Sequence, residues 1–191
     1  MGQKLTTGFN RLSALAGLLF LVLFFSAFRS SGTPVSIRVS VKEQKLYLFK
    51  GPKVVKVYPV STSQYGTGSI QGSNRTPLGH HRVARKIGAG VPLNTIFRER
   101  ANTRRTIAPN PAKKPVSGDY ITTRILWLEG LEPGKNRGAG VDSFERCIYI
   151  HGTPDEGLIG TPASHGCIRM KNKDVAELFN FVPYGTPVWI V

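Results

Sequence analysis

The sequence predicts a mainly β domain with one short C-terminal helix, preceded by an N-terminal hydrophobic helix. Three observations carry that expectation. Apolar residues alternate in two stretches between residues 37 and 57 and again in two stretches between 120 and 152, the period of two that turns one face of a strand inward. Val175, Leu178, Phe179 and Val182 recur at helical i, i+3, i+4, i+7 spacing. The run from Leu12 to Phe28 carries no charge. At 191 residues the chain suits one well-cored domain plus an appendage.

Taken in order, residues 1–11 read as a cytoplasmic N-terminal tail, with Lys4 and Arg11 ahead of the apolar run. That run, 12–28, reads as a signal-anchor or signal-peptide helix. No clean small-residue cleavage site follows it, because Phe28 and Arg29 interrupt the small residues, which favours an uncleaved anchor in the inner membrane. Positive charge before the run favours export of everything after it. "RSSGTP" and Val35 form a linker, 29–35, and the domain spans 36–191.

Within the domain, Ile37, Val39 and Val41, then Leu46 and Leu48, then Val55 and Val57 after Gly51-Pro52, give a hairpin or meander. The Arg-rich and Gly-rich stretch up to Lys114 reads as long loops between short strands, with His80 and His81 as loop residues. "YITTRILWLEG" and "ERCIYIHG" resume the strand pattern, and "GTPVWIV" closes the chain as a strand. Asn172 stands where an N-cap is needed for the helix. Trp127 and Trp189 fit core positions.

With 26 Lys and Arg against 11 Asp and Glu, a formal charge of +15, the protein is drawn to polyanions. Export would leave an anionic envelope rather than nucleic acid as the partner.

Two cysteines in an exported chain most often mean a disulfide. Here the two differ in setting. Cys147 sits in a strand-like run whose positions 147, 149 and 151 share a face, whereas Cys167 lies in a Gly- and Pro-rich loop. If His151 approaches Cys167, Cys147 lies roughly 13 Å from His151 at about 3.3 Å per residue, and a bridge needs α-carbons within about 7 Å. The disulfide and a His151–Cys167 pairing therefore compete. A nucleophilic cysteine needs an imidazole to take its proton and return it to a leaving group, and His151 and His165 are the candidates. Gly166 permits tight backbone geometry, so that the Cys167 amide and a neighbour could hold an oxyanion. Zinc would find His151, His165 and Cys167 but no fourth ligand at the usual spacing.

"HGTP" from His151 and "SHGCIRM" ending at Met170, with His151 and Cys167 sixteen positions apart, closely resemble the catalytic signature of L,D-transpeptidases of the YkuD type. "EQKLYLFKGPKVVKVYPVSTS", "NRTPLG" and "NKDVAELFNFVPYGTPVWIV" resemble that family's opening hairpin, its Thr-Pro-x-Gly segment and its closing helix and strand. The resemblance implies a β barrel or sandwich and a cysteine acyltransferase acting through a thioester on peptidoglycan tetrapeptide stems, releasing D-alanine. It implies Cys167 as nucleophile and His151 as base and acid, oriented by the Gly152 carbonyl. Ser164, His165 and Gly166 would build the loop and oxyanion site, and Arg169 would be structural or bind a substrate carboxylate. No cofactor or metal is implied. The acceptor is left open among a second stem, an envelope lipoprotein lysine, and water, the last giving an L,D-carboxypeptidase. A non-catalytic basic envelope-binding module is the alternative from a different class. The basic stretch 80–114 is longer than the resemblance leads one to expect and reads as a lid or substrate-contacting insertion.

Overall fold

The computed structural model of the chain describes residues 1–2 and 32–191. The hydrophobic run 12–28, and with it the expected anchor, lies outside the described residues. Among the described residues no helix is long and apolar enough to cross a membrane.

The unit Pro34–Val191 is built on a ten-stranded sheet: β1 (Val35–Ser40), β2 (Lys45–Lys50), β3 (Lys53–Pro59), β4 (Gly79–Ile87), β5 (Thr95–Arg98), β6 (Ala101–Thr106), β7 (Ile121–Gly130), β8 (Tyr149–Gly152), β9 (Ile168–Met170) and β10 (Pro187–Ile190). One α-helix, α1 (Asn172–Phe181), packs against β7 and β8. The strand order is β3-β2-β1-β10-β4-β7-β5-β6, with β8 pairing β7 and β9 pairing β8. The sheet is open, without the full closing ladder of a barrel. A single antiparallel bridge between Ser61 and Arg169 ties the stretch after β3 to β9.

The first meander forms as the alternation predicts, and Ile37, Val39, Leu46 and Leu48 are buried. Each such side chain contributes roughly 2–3 kcal/mol by leaving water. Val55 and Val57 do not join them. β3 is an edge strand with an irregular register opposite Leu48 and Phe49, so its valines face solvent and Tyr58 alone turns inward.

The stretch read as long loops between short strands holds three strands, β4, β5 and β6, with loops around them. β4 alternates Gly79, His81 and Val83 inward with His80 and Arg82 outward, a pattern that few apolar residues advertise. His81 is fully buried, its Nδ1–H donating to the Gly79 carbonyl at 3.0 Å and its Nε2 accepting from Ser143 Oγ at 3.0 Å. Burial pushes its pKa down to about 4. Residues Glu99 and Arg100 form the two-residue turn of the β5–β6 hairpin with φ of 48° and 71°. Such a turn favours Asn-Gly, and a non-glycine residue in this region costs about 1–2 kcal/mol.

Trp127 is buried as expected, but Trp189 is 47% exposed. Its strand neighbours Val188 and Ile190 take the inner face, so the period of two turns Trp189 outward to stack on His80 at 5.5 Å. Asn172 is also not the cap. Lys171 holds that position, and Asn172 is the first helical residue. Its buried amide accepts from Thr122 Oγ1 at 2.6 Å and from Thr123 Oγ1, and donates to the Thr153 carbonyl and Glu156 Oε1, each at 2.8 Å. It clasps the helix to β7 and to the end of β8.

Two apolar clusters result. The larger fills the space between the sheet and α1. The smaller, Phe97, Ile125, Trp127 and Tyr149, lies on the opposite face of β7 and β8, with Cys147 and Cys167 packed against it.

Candidate active site

Parallel pairing of β8 with β9 sets Ile150 beside Ile168 and His151 beside Arg169. Alternation then puts Ile150, Ile168 and Met170 into the larger core and Tyr149, His151, Cys167 and Arg169 on the other face. Cys167 immediately precedes β9, level with Tyr149, whose N–H donates to Cys167 Sγ at 3.4 Å. It is a diagonal neighbour of His151, roughly 8 Å away between α-carbons from strand spacing and rise.

His151 is buried, and its Nδ1–H donates to the Gly152 carbonyl at 2.7 Å. This leaves Nε2 as the unprotonated nitrogen. Gly152 has to be glycine: a Cβ there would lie 2.8 Å from both Asn172 Oδ1 and the Thr122 carbonyl. Burial, then the neighbouring Arg169, push the His151 pKa down to about 4, against a weaker upward pull from Asp119.

Both cysteines are free thiols. Cys147 is not a strand residue; it precedes β8 with φ of 57° and is half-buried. Its carbonyl accepts the Cys167 S–H at 3.4 Å. Burial pushes the Cys167 thiol up to about 12, so the resting pair is a neutral thiol and a neutral imidazole. Among the described residues no hydrogen bond joins Cys167 to His151, and the S–H must turn from the Cys147 carbonyl before its proton can pass to the imidazole.

The loop before Cys167 is tied from both sides. Ser164 Oγ donates to the Cys167 carbonyl at 2.6 Å and accepts the Gly166 N–H at 3.2 Å. Thr76 Oγ1, from the "NRTPLG" segment, donates to the Gly166 carbonyl at 3.0 Å and accepts the Ser63 N–H at 3.0 Å. Gly166 has φ of 120°, a conformation open to glycine. Its amide is occupied by Ser164, so among the nominated loop residues it supplies shape rather than a free donor.

His165 bonds other side chains and not the thiol. Its Nδ1 lies 2.9 Å from Asp119 Oδ2, and Gln64 Nε2 donates toward its Nε2 at 3.3 Å. Arg169 is 4% exposed and internally paired: Nη2 bonds Asp119 Oδ1 at 2.7 Å, Nη1 bonds the Ala163 carbonyl at 3.0 Å, and Asp155 Oδ2 lies 3.7 Å away. That environment fits a structural post better than a substrate-carboxylate ligand.

Asp119 was not singled out by the sequence, although it is the lone acid between Glu99 and Glu129 in a basic stretch. It joins His165 to Arg169. Burial pushes its carboxyl up, but Arg169, His151 and His165 outweigh that, and it titrates below its ordinary value. Asp119 also borders two cavities, one of about 590 Å³ beside the β5–β6 hairpin and one of about 520 Å³ beside Ala163 and His165. The end of the basic stretch docks beside "HGTP", the Asn110 N–H donating to the Pro154 carbonyl at 2.7 Å and the Val116 N–H to Asp155 Oδ1 at 2.8 Å.

Fold and site together define a β-sheet domain with a buried imidazole and a thiol side by side on one face of two parallel strands. The YkuD family model, the L,D-transpeptidase catalytic domain, matches residues 34–190, and the chain belongs to that family. Among curated relatives, the probable L,D-transpeptidase YbiS of Escherichia coli K12 is 30% identical over 81% of this chain and 44% of its own length. The probable L,D-transpeptidase ErfK/SrfK of Salmonella typhimurium is 32% identical over 81% and 43%. The chain thus spans less than half the length of these relatives. The solved structure of Bdellovibrio bacteriovorus Bd1075 matches with a TM-score of 0.52 at 16% identity, over 84% of this chain and 48% of that one, a likeness of fold.

Proposed function

We propose that the chain is a peptidoglycan L,D-transpeptidase working through a Cys167 thioester in the cell envelope. The observation that carries this reading is the β8–β9 register. It sets a buried imidazole, fixed through Nδ1 with Nε2 unprotonated, on the same face as the thiol.

In the first half-reaction Cys167 Sγ attacks the stem amide carbonyl as its proton passes to His151 Nε2. Because thiol and imidazole are both neutral at rest, proton transfer accompanies attack rather than preceding it. The negative charge that develops on the carbonyl oxygen is met by the Cys167 N–H, with the Gly166 amide engaged elsewhere. The C–N bond breaks, His151 returns the proton to the leaving D-alanine amine, and the acyl group stays on sulfur. In the second half an acceptor amine attacks the thioester, His151 takes its proton, and that proton goes back to the departing Cys167 sulfur. Water in place of the amine gives carboxypeptidase turnover with the same pair. Basic surface and the apolar run 12–28 support residence at the outer face of the cytoplasmic membrane, with stem peptides as partners and a second stem or an envelope lipoprotein lysine as acceptor.

Intact mass spectrometry of the full chain before and after a carbapenem, whose strained lactam stands in for the stem amide, tests the reading. One adduct per chain, absent in Cys167→Ala, is expected. No adduct on the native chain would sink it.

A further inference from the structure

The resemblance leaves two tasks for arginine, structural support and carboxylate recognition, and the structure separates them. Arg169 is buried and paired with Asp119 and Asp155, which leaves carboxylate recognition without an owner. Two other guanidinium groups bond residues that touch Cys167 or brace its loop. Arg146 donates to the Gly68 and Arg75 carbonyls at 3.3 and 2.7 Å, holding the loop that supports Gly166. Arg100 is different. It stands at the tip of the β5–β6 hairpin, in a turn where both residues are left-handed without being glycine. Its guanidinium lies over Trp127 at 5.0 Å from the ring centroid. Nη1 is 3.3 Å from Tyr149 Oη and 3.6 Å from Cys147 Sγ. Among the described residues no carboxylate forms an ion pair with it.

Cys147 and Tyr149 are also the two residues whose main chain touches the nucleophile, the Tyr149 N–H and the Cys147 carbonyl each 3.4 Å from Cys167 Sγ. The sulfur and the guanidinium are therefore held on the same two residues, one by their backbone and one by their side chains. A carbonyl being attacked and a carboxylate on the next residue are about one residue length apart, ~3.5 Å. A guanidinium–carboxylate hydrogen bond spans another ~2.8 Å. The planar fork, seated on an aromatic face with an edge to spare, is the geometry that takes a carboxylate bidentately.

We propose that Arg100 is the carboxylate-recognition residue of this site, binding the free α-carboxylate of the residue that follows the scissile amide. The inference rests on the transpeptidase reading above and deepens it. It makes the site selective for the end of a peptide, because a chain that continues past that residue offers no carboxylate there.

Binding without turnover tests it. In the full chain carrying Cys167→Ala, a stem tetrapeptide ending in D-alanine is titrated calorimetrically against the same peptide with a C-terminal amide. The acid is expected to bind at least tenfold more tightly, and Arg100→Gln to reduce the ratio below twofold by weakening the acid alone. Arg100→Lys recovers part of the preference, and Arg146→Gln leaves it intact. Replacing the turn by Asn-Gly, Glu99→Asn with Arg100→Gly, relieves the backbone strain. It should raise the melting temperature while abolishing the preference, an outcome that a merely structural Arg100 would reverse. An acid preference that survives Arg100→Gln overturns the inference while leaving the carbapenem adduct on Cys167, and hence the broader reading, untouched. Absence of the adduct on the native chain would remove the reading and the inference with it.

Discussion

Strands β8 and β9 have two faces that do different work. Inward, Ile150, Ile168 and Met170 are wholly buried among aliphatic neighbours. Outward, the same strands carry Tyr149, His151 and Arg169, with Cys167 one step ahead of β9. One face has no titratable group and the other is almost nothing else. A period of two allows this, and it makes the site depend on register: a slip of one residue would send His151 into the core and Ile150 to the thiol. The bonds that hold that register are Ser164 to the Cys167 carbonyl, Thr76 to the Gly166 carbonyl, and the Asn172 clasp at the end of β8.

The sharpest way to separate the faces is to truncate one residue on each. Cys167→Ala should abolish carbapenem adduct formation while moving the denaturation midpoint little, since a half-buried sulfur is all that is lost. Ile168→Ala, its immediate neighbour, should lower stability by about 2–5 kcal/mol. The fraction that remains folded should still acylate. Urea titration alongside intact mass on both variants reads the contrast, and an Ile168→Ala protein that is fully stable but inert would erase it.

Next in size is His151→Gln, which keeps volume and removes the base. Acylation should slow by about 10²–10⁴-fold, followed as adduct mass against time. A loss under tenfold would mean that another group accepts the thiol proton.

The inward face was legible in the sequence and the outward one only in part. Ile37, Leu46 and Val175 announce themselves by period, because burial selects for apolarity at every second or every third and fourth position. His151 and Cys167 stood out through the motifs around them. Asp119 and Arg100 had no such signal. Each reaches the site from a basic stretch distant in sequence, and only the folding of the β5–β6 hairpin and the 107–119 segment over the face of β7 and β8 brings them there. Trp189 misled for a related reason: an aromatic in an apolar run looks like core until strand parity is fixed by Val188 and Ile190.

Stability also depends on pH through two buried histidines, His151 on the outward face and His81 on the inward side of β4. His151 and His81 are buried neutral, each with its pKa pushed down to about 4. The unfolded chain takes up these protons below about pH 6.5, whereas the native state holds them off until about pH 4. Their contribution is therefore complete above pH 6.5 and is lost progressively as pH falls toward 4, by on the order of 3 kcal/mol for each at most. Replacing His151 by Gln should flatten about half of that slope in denaturant melts between pH 7 and 4, and an unchanged slope would mean that His151 is already charged in the native state. Carbapenem acylation should meanwhile vary little between pH 5 and 8, since neither partner of the neutral pair titrates there.

The smallest expected effect tests how far charge on the outward face reaches the thiol. Asp119 sits between Arg169 and His165, and its negative charge is one of the influences that raise the Cys167 pKa, second to burial. In Asp119→Asn that charge disappears and the Arg169 cation is left with the more distant Asp155. Both changes favour the thiolate, so Cys167 should be alkylated by iodoacetamide about two- to tenfold faster at pH 8. Carbapenem acylation need not follow, because it draws on the His151 base, whose own pKa falls further once Asp119 no longer pulls it up. Faster alkylation with unchanged or slower acylation would place Asp119 as a positioning charge for the pair. Equal slowing of both would mean that it only braces the loop, and the outward face would then owe its chemistry to register and burial alone.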